Sequence, residues 1–113
     1  MTKFSDRIKK SAKTSPIILA NDYDPKIPNI ESKTLRNIKL LNNYLCGIKI
    51  NFHLLLQLDK KQISRINKNA HDYGLQCIAD IKLNDIGNTN FITAENLWNM
   101  GFDAVIVNPI MGK

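Results

Sequence analysis

The sequence predicts an α/β fold in which four parallel strands alternate with helices. Four short apolar runs begin near residues 17, 46, 75 and 103, so successive starts lie 29, 29 and 28 residues apart. One strand, one helix and their connections need about 30 residues, which this spacing supplies. Each run is almost continuously apolar rather than alternating, as is typical of strands in a parallel sheet that helices cover.

The predicted strands span residues 17–20, 47–50, 76–81 and 104–107. Between them, apolar residues recur at helical spacing and form two stripes that are expected to face the core. The first stripe is Leu35, Ile38, Leu41 and Leu45, and the second is Ile63, Ile66, Ala70 and Tyr73. Asp59 and Gln62 form a capping-box pattern before the second helix, and Gly74 is placed to end it.

A third helix is predicted between the last two strands. It is expected to start after Thr89, to end at Gly101 and to bury an apolar face against the core. The residues of that face are Phe91, Ala94, Leu97 and Trp98.

The composition predicts one soluble globular domain. The chain has 113 residues, of which 43% are hydrophobic and 23% charged. Its apolar runs fall far short of the roughly 20 residues needed to cross a bilayer. Residues 1–15 are unlike a secretory signal and are expected to form a helical extension before a domain over residues 16–113. We therefore expect a cytoplasmic protein that does not bind membranes.

The cysteines and the basic residues indicate neither a metal site nor a nucleic-acid partner. Cys46 and Cys77 lie in apolar runs without metal-site spacing, so they are expected to be reduced core residues. The formal net charge of +6 is spread over residues 3–13, 33–39 and 60–68, which indicates solvated helix faces. Aromatic residues are not interleaved with the basic ones, as a base-stacking surface would require.

Two architectures fit a strand-helix repeat, a doubly wound sheet and a (β/α)8 barrel. The segment after the first strand, residues 21–25, contains no glycine-rich phosphate loop, which disfavours the dinucleotide-binding form of the doubly wound sheet. A complete barrel typically needs about 250 residues in eight repeats, whereas four repeats are present here. A barrel would therefore be a partial one.

Polar residues cluster where the predicted strands end, which is the face on which barrels build active sites. They are Asp22, Lys49, Asp80, Lys82 and Asn108. Asp80 and Lys82 are expected to project to one side of their strand, with Asp85 in the loop beyond. A lysine held between carboxylates stays cationic and can protonate a carbanion, without a metal or an organic cofactor. The alternative is a buried ion-pair cluster that only fixes the strands.

The segment from Ile78 to Thr89 reads Ile-Ala-Asp-Ile-Lys-Leu-Asn-Asp-Ile-Gly-Asn-Thr. It resembles the Asp-x-Lys-x-x-Asp-Ile-x-x-Thr signature of orotidine 5′-monophosphate decarboxylases, especially archaeal ones. Segments 18–22, 48–50 and 101–107 are similar to the first, second and fourth strands of that family. The resemblance covers residues 16–112 and implies the N-terminal half of a (β/α)8 TIM barrel, with the C-terminal half absent.

The resemblance also implies an activity. Members of the family convert orotidine 5′-monophosphate to uridine 5′-monophosphate in de novo pyrimidine synthesis, without a cofactor. By this resemblance, Lys82 would protonate the C6 carbanion and Asp80 would lie against the departing carboxylate. Lys49 and Asp22 would hold the ribose hydroxyls and the charge network.

In the same family, residues after the second aspartate of the signature act across a homodimer interface. The resemblance therefore implies that Asp85, Ile86 and Thr89 complete the site of a partner subunit. Asn108 stands where many relatives carry a histidine, and the family's phosphate-binding residues come from loops later than Lys113. We therefore expect the isolated chain to be an incomplete enzyme.

Two other functions stay open from the sequence. Related 3-keto-gulonate-phosphate decarboxylases and hexulose-phosphate synthases share the Asp-x-Lys-x-x-Asp pattern but use a magnesium ion. They differ at the positions of Lys49 and Thr89, which favours the orotidine branch for this chain. The other function is that of a non-catalytic half-barrel serving as an assembly module.

Overall fold

The computed structural model describes residues 3–13, 15–24, 26–83 and 95–107, and it describes their side chains except at residues 82, 83 and 107. Several predictions lie outside the described residues. They concern Asp85, Ile86, Thr89 and Asn108, the start of the third helix, and the core positions Phe91 and Ala94. Lys82 is described as a strand position without its side chain.

Helices and strands alternate along the described chain. The helices are α1 (Phe4–Ala12), α2 (Ile30–Leu41), α3 (Phe52–Gln57) and α4 (Lys60–Asp72), with a 3₁₀ turn at Asn42–Tyr44 and a helical segment at residues 95–99. The strands are β1 (Ile18–Ala20), β2 (Gly47–Asn51), β3 (Gln76–Leu83) and β4 (Ala104–Val107). The four predicted strands are confirmed, with identical bounds for β4 and bounds that differ by one or two residues for the others. The short helix α3 was not predicted.

The strands form one parallel sheet in the order β1-β2-β3-β4. Every connection therefore moves one strand further in the same direction. A doubly wound sheet reverses direction at a switch point, whereas a (β/α)8 barrel keeps sequence order. The predicted fold class, four parallel strands of a barrel alternating with helices, is confirmed.

The core lies between the sheet and the helices. The residues that fill it from the sheet are Ile48, Ile50, Cys77 and Ala79, and those from the helices are Ile30, Ile38, Leu54, Ile63, Ile66, Ala70 and Leu97. Both cysteines are free and buried, as predicted. Because side chains alternate along a strand, the neighbours of these sheet residues, such as Lys49 and Asp80, lie on the opposite face.

Three residues predicted for the core are exposed instead. Tyr73 is 42% exposed because the chain leaves helical geometry there, with ψ at 5°, and its side chain departs from the α4 stripe. Trp98 is 46% exposed because Leu97 takes the core position, and the next residue lies about 100° further round the helix. Leu41 is 37% exposed at the last position of α2, where the chain turns into the 3₁₀ segment.

The ends of α4 are set by local sequence. Asp59 accepts from the Gln62 backbone N–H at 2.7 Å, and Gln62 accepts from the Asp59 N–H at 2.9 Å, so the predicted capping box is confirmed. Gly74 ends the helix at φ +80°, a conformation that favours glycine. The N–H groups of Gly74 and Leu75 bond back to His71 and Ala70, which completes a Schellman motif. Among the described helices, none is both long and apolar enough to span a bilayer.

Candidate active site

Lys49 and Asp80 form an ion pair between adjacent strands. Lys49 lies between Ile48 and Ile50, whose side chains are buried against the helices, so its own side chain leaves from the opposite face of β2. Its Nζ is 3.1 Å from Asp80 Oδ2, and the side chains of Lys49 and Asp80 are 27% and 6% exposed. The carboxylate is thus almost withdrawn from water while its cationic partner reaches the surface. The structure brings these two predicted residues together.

Asp22 lies beside this pair, just beyond the end of β1. The backbone N–H of Asn21 bonds to the Lys49 carbonyl at 2.9 Å, which extends the pairing of β1 with β2 by one residue. Asp22 therefore lies at the carboxyl edge of the sheet. Its Oδ1 accepts a hydrogen bond from Asn51 Nδ2 at 3.0 Å.

An open cleft of about 460 Å³ joins these residues. Its lining is Asp22, Lys49, Asn51, Phe52, His53, Asp80 and Ile81. The cleft lies where the parallel strands end, the face that bears active sites in barrels. A larger cavity of about 690 Å³ lies at the other edge, beside α1, but neither the Lys49–Asp80 pair nor Asp22 lines it. The nearly buried Asp80 carboxylate paired with Lys49 at the carboxyl edge, rather than volume, identifies the smaller cleft as the candidate site.

Strand β3 is irregular where it carries Lys82. Asp80 pairs with Ile106 and Leu83 pairs with Val107, so residues 81 and 82 lie between two pairs that are consecutive on β4. Such a bulge bends a strand, and bulges are common next to active sites because they re-aim side chains. The prediction that Asp80 and Lys82 project to one side of the strand depends on the side chain of Lys82. That side chain lies outside the described part of the structure, so this stays a prediction.

Two residues of the cleft were missed by sequence reasoning. Asn51 was overlooked, although an asparagine directly before the apolar run of α3 is a common helix N-cap. Its Oδ1 accepts the Leu54 N–H at 3.0 Å. His53, on the first turn of α3, was left without a role and lines the cleft as an exposed residue.

The opposite, amino edge of the sheet holds a second charged cluster around Asp103, the residue before β4. Its Oδ2 accepts the Cys77 N–H at 2.7 Å and lies 2.7 Å from His71 Nε2. Its Oδ1 is 3.5 Å from Arg7 Nη2. Burial raises the pKa of Asp103, but the hydrogen bonds from His71 and Cys77 and the nearby charges bring it below its ordinary value. The hydrogen bond to Asp103 raises the pKa of His71 in spite of its partial burial.

Potential metal ligands within the described residues also meet at this amino edge. The ligand atoms of His71, Cys77 and Asp103 lie within 4.8 Å of one another. However, Asp103 Oδ2 is already engaged by two hydrogen bonds, and burial raises the pKa of the Cys77 thiol, which disfavours the thiolate that binds metals. This arrangement stabilises the fold rather than forming the candidate site.

Taken together, the sequence order of the parallel strands identifies part of a barrel, and the lysine–carboxylate pair marks a candidate active site at its carboxyl edge. A sequence model of the Orotidine 5′-phosphate decarboxylase / HUMPS family matches residues 15–113. The chain belongs to this family.

Individual relatives agree with this assignment. The chain is 34% identical over 98 residues to the orotidine 5′-phosphate decarboxylase of Pyrococcus abyssi, covering 86% of this chain and 43% of the relative. It is 33% identical over 100 residues to that of Thermococcus kodakarensis, covering 88% and 43%. The chain therefore spans less than half the length of these relatives.

Solved structures show the same partial correspondence. The crystal structure of orotidine 5′-phosphate decarboxylase from Pyrococcus horikoshii superposes with a TM-score of 0.66 at 28% identity, covering 86% of this chain and 43% of the other. The structure of Leishmania donovani UMP synthase superposes with a TM-score of 0.79 over 93% of this chain and 24% of the other. At 19% identity, the second likeness supports the fold alone.

Proposed function

We propose that this chain supplies half of the active site for the decarboxylation of orotidine 5′-monophosphate to uridine 5′-monophosphate, a step of pyrimidine synthesis. The observation that supports this most directly is the Lys49–Asp80 ion pair, 3.1 Å across, beside an open cleft at the carboxyl edge of the sheet. Membership of the family and the similarity to named orotidine 5′-phosphate decarboxylases support this reaction. In this proposal the reaction needs no cofactor, because a lysine held beside carboxylates can protonate a carbanion.

The proposed reaction breaks the bond between C6 of the pyrimidine and its carboxylate. The electron pair stays on C6, carbon dioxide leaves, and the Lys82 ammonium group donates the proton that completes the product. Asp80 lies against the departing carboxylate in this proposal, where its nearly buried charge acts either by stressing the bound carboxylate or as part of a preorganised electrostatic environment. Lys49 neutralises the charge of Asp80. The substrate carboxylate therefore approaches the Asp80 carboxylate with a cation nearby.

The proposal assigns Asp22 and Lys49 to the ribose hydroxyls. Both line the cleft, and both have polar atoms that a hydroxyl-bearing substrate can reach. A carboxylate accepts hydrogen bonds from sugar hydroxyls, and an ammonium group donates to them. The two residues therefore suit the ribose of a nucleotide better than its base.

We further propose a homodimer in which Asp85, Ile86 and Thr89 of one subunit complete the site of the other. This part rests on the match of residues 78–89 to the family signature.

An activity assay tests the proposal. The chain is incubated with orotidine 5′-monophosphate, alone and mixed with the remaining C-terminal portion of the Pyrococcus horikoshii relative. The ultraviolet absorbance of orotidine monophosphate is then followed. We expect turnover in the complemented mixture, without added magnesium and undiminished by a chelator.

Two results would redirect the proposal. Absence of turnover in both mixtures would contradict the decarboxylase and favour a non-catalytic assembly module. Magnesium-dependent turnover of a keto-gulonate phosphate instead would place the chain in the magnesium-using branch of the family. The position of Lys49, paired with Asp80 where that branch carries a carboxylate, supports the orotidine branch.

A further inference from the structure

Asn51 occupies the last position of β2, where the strand passes directly into α3. Its side-chain amide makes two hydrogen bonds of opposite sense. Oδ1 accepts from the Leu54 backbone N–H at 3.0 Å, and Nδ2 donates to Asp22 Oδ1 at 3.0 Å. One planar group therefore connects the beginning of a helix to a carboxylate of the candidate site.

The chemistry of the neighbours fixes the orientation of this amide. The beginning of a helix presents N–H donors, so the atom that faces it must be the oxygen. The Asp22 carboxylate can only accept, so the atom that faces it must be the nitrogen. A flipped amide would lose both hydrogen bonds. Because Leu54 is fully buried, the oxygen end of Asn51 is anchored to the rigid core.

Asp22 itself has little else to hold it. It is exposed and lies outside β1, and within the described residues its carboxylate accepts one side-chain hydrogen bond, the one from Asn51. An exposed side chain without such a bond samples several rotamers. Asn51 is also the register partner of Asp80 in the sheet, so it lies between the two acidic groups of the cleft.

We infer that Asn51 is a positioning residue, which holds the Asp22 carboxylate in the orientation that receives the substrate. This inference rests on the proposed function, in which Asp22 contacts the ribose. Asn51 has two separable tasks, capping α3 and directing Asp22. An asparagine performs both because it has a donor and an acceptor on one short side chain.

The substitution Asn51→Asp separates these tasks. Aspartate has the same shape and is an equally good N-cap, so α3 keeps its cap. It lacks the donor, however, and places a second carboxylate against Asp22. We expect the melting temperature to stay close to that of the unchanged protein, while KM for orotidine monophosphate rises about tenfold, more than kcat falls. The measurement uses the complemented, active assembly.

Two further variants serve as controls. Asn51→Ser retains a capping oxygen without a charge but is too short to direct Asp22, so we expect a smaller rise in KM at unchanged melting temperature. Asn51→Ala loses both tasks, so we expect a raised KM together with a lower melting temperature. A role confined to capping would instead give a destabilised alanine variant and an aspartate variant with unchanged kinetics, which would overturn the inference.

A double-mutant cycle tests whether the effect passes through Asp22. In an Asp22→Asn background, Asn51→Asp should add little further to KM, because no second carboxylate remains to be misdirected. An undiminished effect there would overturn the inference. The unchanged assembly tests the proposed function separately. If it neither turns over orotidine monophosphate nor binds uridine monophosphate in calorimetry, both the proposed function and this inference are wrong. An active assembly with a neutral Asn51→Asp variant overturns the inference alone.

Discussion

The two edges of the sheet both hold acidic groups with cationic partners, but they use them differently. At the amino edge, Asp103 joins three parts of the chain, through Arg7 of α1, His71 of α4 and the backbone of Cys77. At the carboxyl edge, Asp80 pairs with Lys49 across two adjacent strands beside an open cleft. The amino-edge acid links two helices to the sheet, whereas the carboxyl-edge acid pairs within the sheet and faces the space for a ligand.

This difference follows from where each acid lies relative to backbone donors. Asp103 accepts an N–H from β3, so its charge substitutes for a missing hydrogen-bond acceptor at the beginning of the sheet. Asp80 lies inside a strand whose backbone is already paired on both sides. Its side chain pairs with the Lys49 ammonium group and lines the cleft, which suits a residue retained for chemistry. Substitutions at the two edges should separate activity from stability.

The largest expected contrast is between Asp80→Ala and Asp103→Ala in turnover. We expect Asp80→Ala to lower kcat/KM of the complemented assembly at least a thousandfold, equivalent to about 4 kcal/mol. Asp103→Ala should leave it within about threefold, since no described contact joins Asp103 to the cleft. Steady-state kinetics of folded samples check this. Equal losses of kcat/KM in both variants would contradict the proposal that only the carboxyl edge takes part in catalysis.

The amino edge should contribute to the stability of the fold rather than to turnover. Asp103→Ala removes the acceptor of the Cys77 N–H and the partner of His71, so we expect a loss of about 2–4 kcal/mol in the free energy of unfolding. Urea unfolding measures it. The matched control is Asp72→Ala, an exposed aspartate paired with Lys68 on α4, which should cost less than about 0.5 kcal/mol. A loss for Asp103→Ala no greater than that of the control would refute the structural role.

The amino edge should also make stability depend on pH. The pKa of His71 is raised in the folded protein, so its stabilisation is fully present below the unfolded value and is lost as pH rises through the folded value. The pKa of Asp103 is lowered, so its stabilisation is present above its unfolded value and is lost as pH falls through the folded value. The pair thus contributes most in mildly acidic solution.

Melting curves of the protein and of His71→Gln test this pH dependence. Between about pH 5 and pH 8, the melting temperature of the unchanged protein should fall relative to that of the variant, because only the unchanged protein loses the histidine charge. Parallel pH profiles for the two proteins would show that the His71–Asp103 pair does not titrate as described.

The smallest predicted effect concerns the cap of α4, whose residues do not line the cleft. Asp59→Ala removes the cap of α4, and we expect a loss of about 1 kcal/mol in the free energy of unfolding without a change in kcat/KM. Gln62→Ala removes only the reciprocal hydrogen bond and should cost less. A loss of activity in either variant would indicate that α4 is coupled to the cleft.

Local pattern predicted the parts of the molecule that local sequence determines. Strand positions followed from apolar runs, and the ends of α4 followed from Asp59, Gln62 and Gly74, whose partners lie within a few residues. The approach of Lys49 to Asp80 was predictable because residues offset by two positions on neighbouring parallel strands lie on the same face of the sheet.

Other features depend on contacts that no local pattern contains. The partners His71 and Asp103 are 32 residues apart, and neither belongs to a motif. Asn67 is fully buried and donates to the Met100 carbonyl at 2.9 Å, although an asparagine on a helix is ordinarily assigned to the surface. Asn51 was overlooked because its hydrogen-bond partner Asp22 lies 29 residues earlier in the chain.

The proposed division of the sheet depends most on Lys82 of β3. In the complemented assembly, Lys82→Ala should lower turnover of orotidine monophosphate by several orders of magnitude, because it removes the proposed proton donor. The matched control is Lys68→Ala, which removes an exposed lysine of α4 and should leave turnover unchanged. A loss in Lys82→Ala below about tenfold, or about 1.4 kcal/mol, in a folded sample would contradict the assignment of the carboxyl edge as the catalytic one.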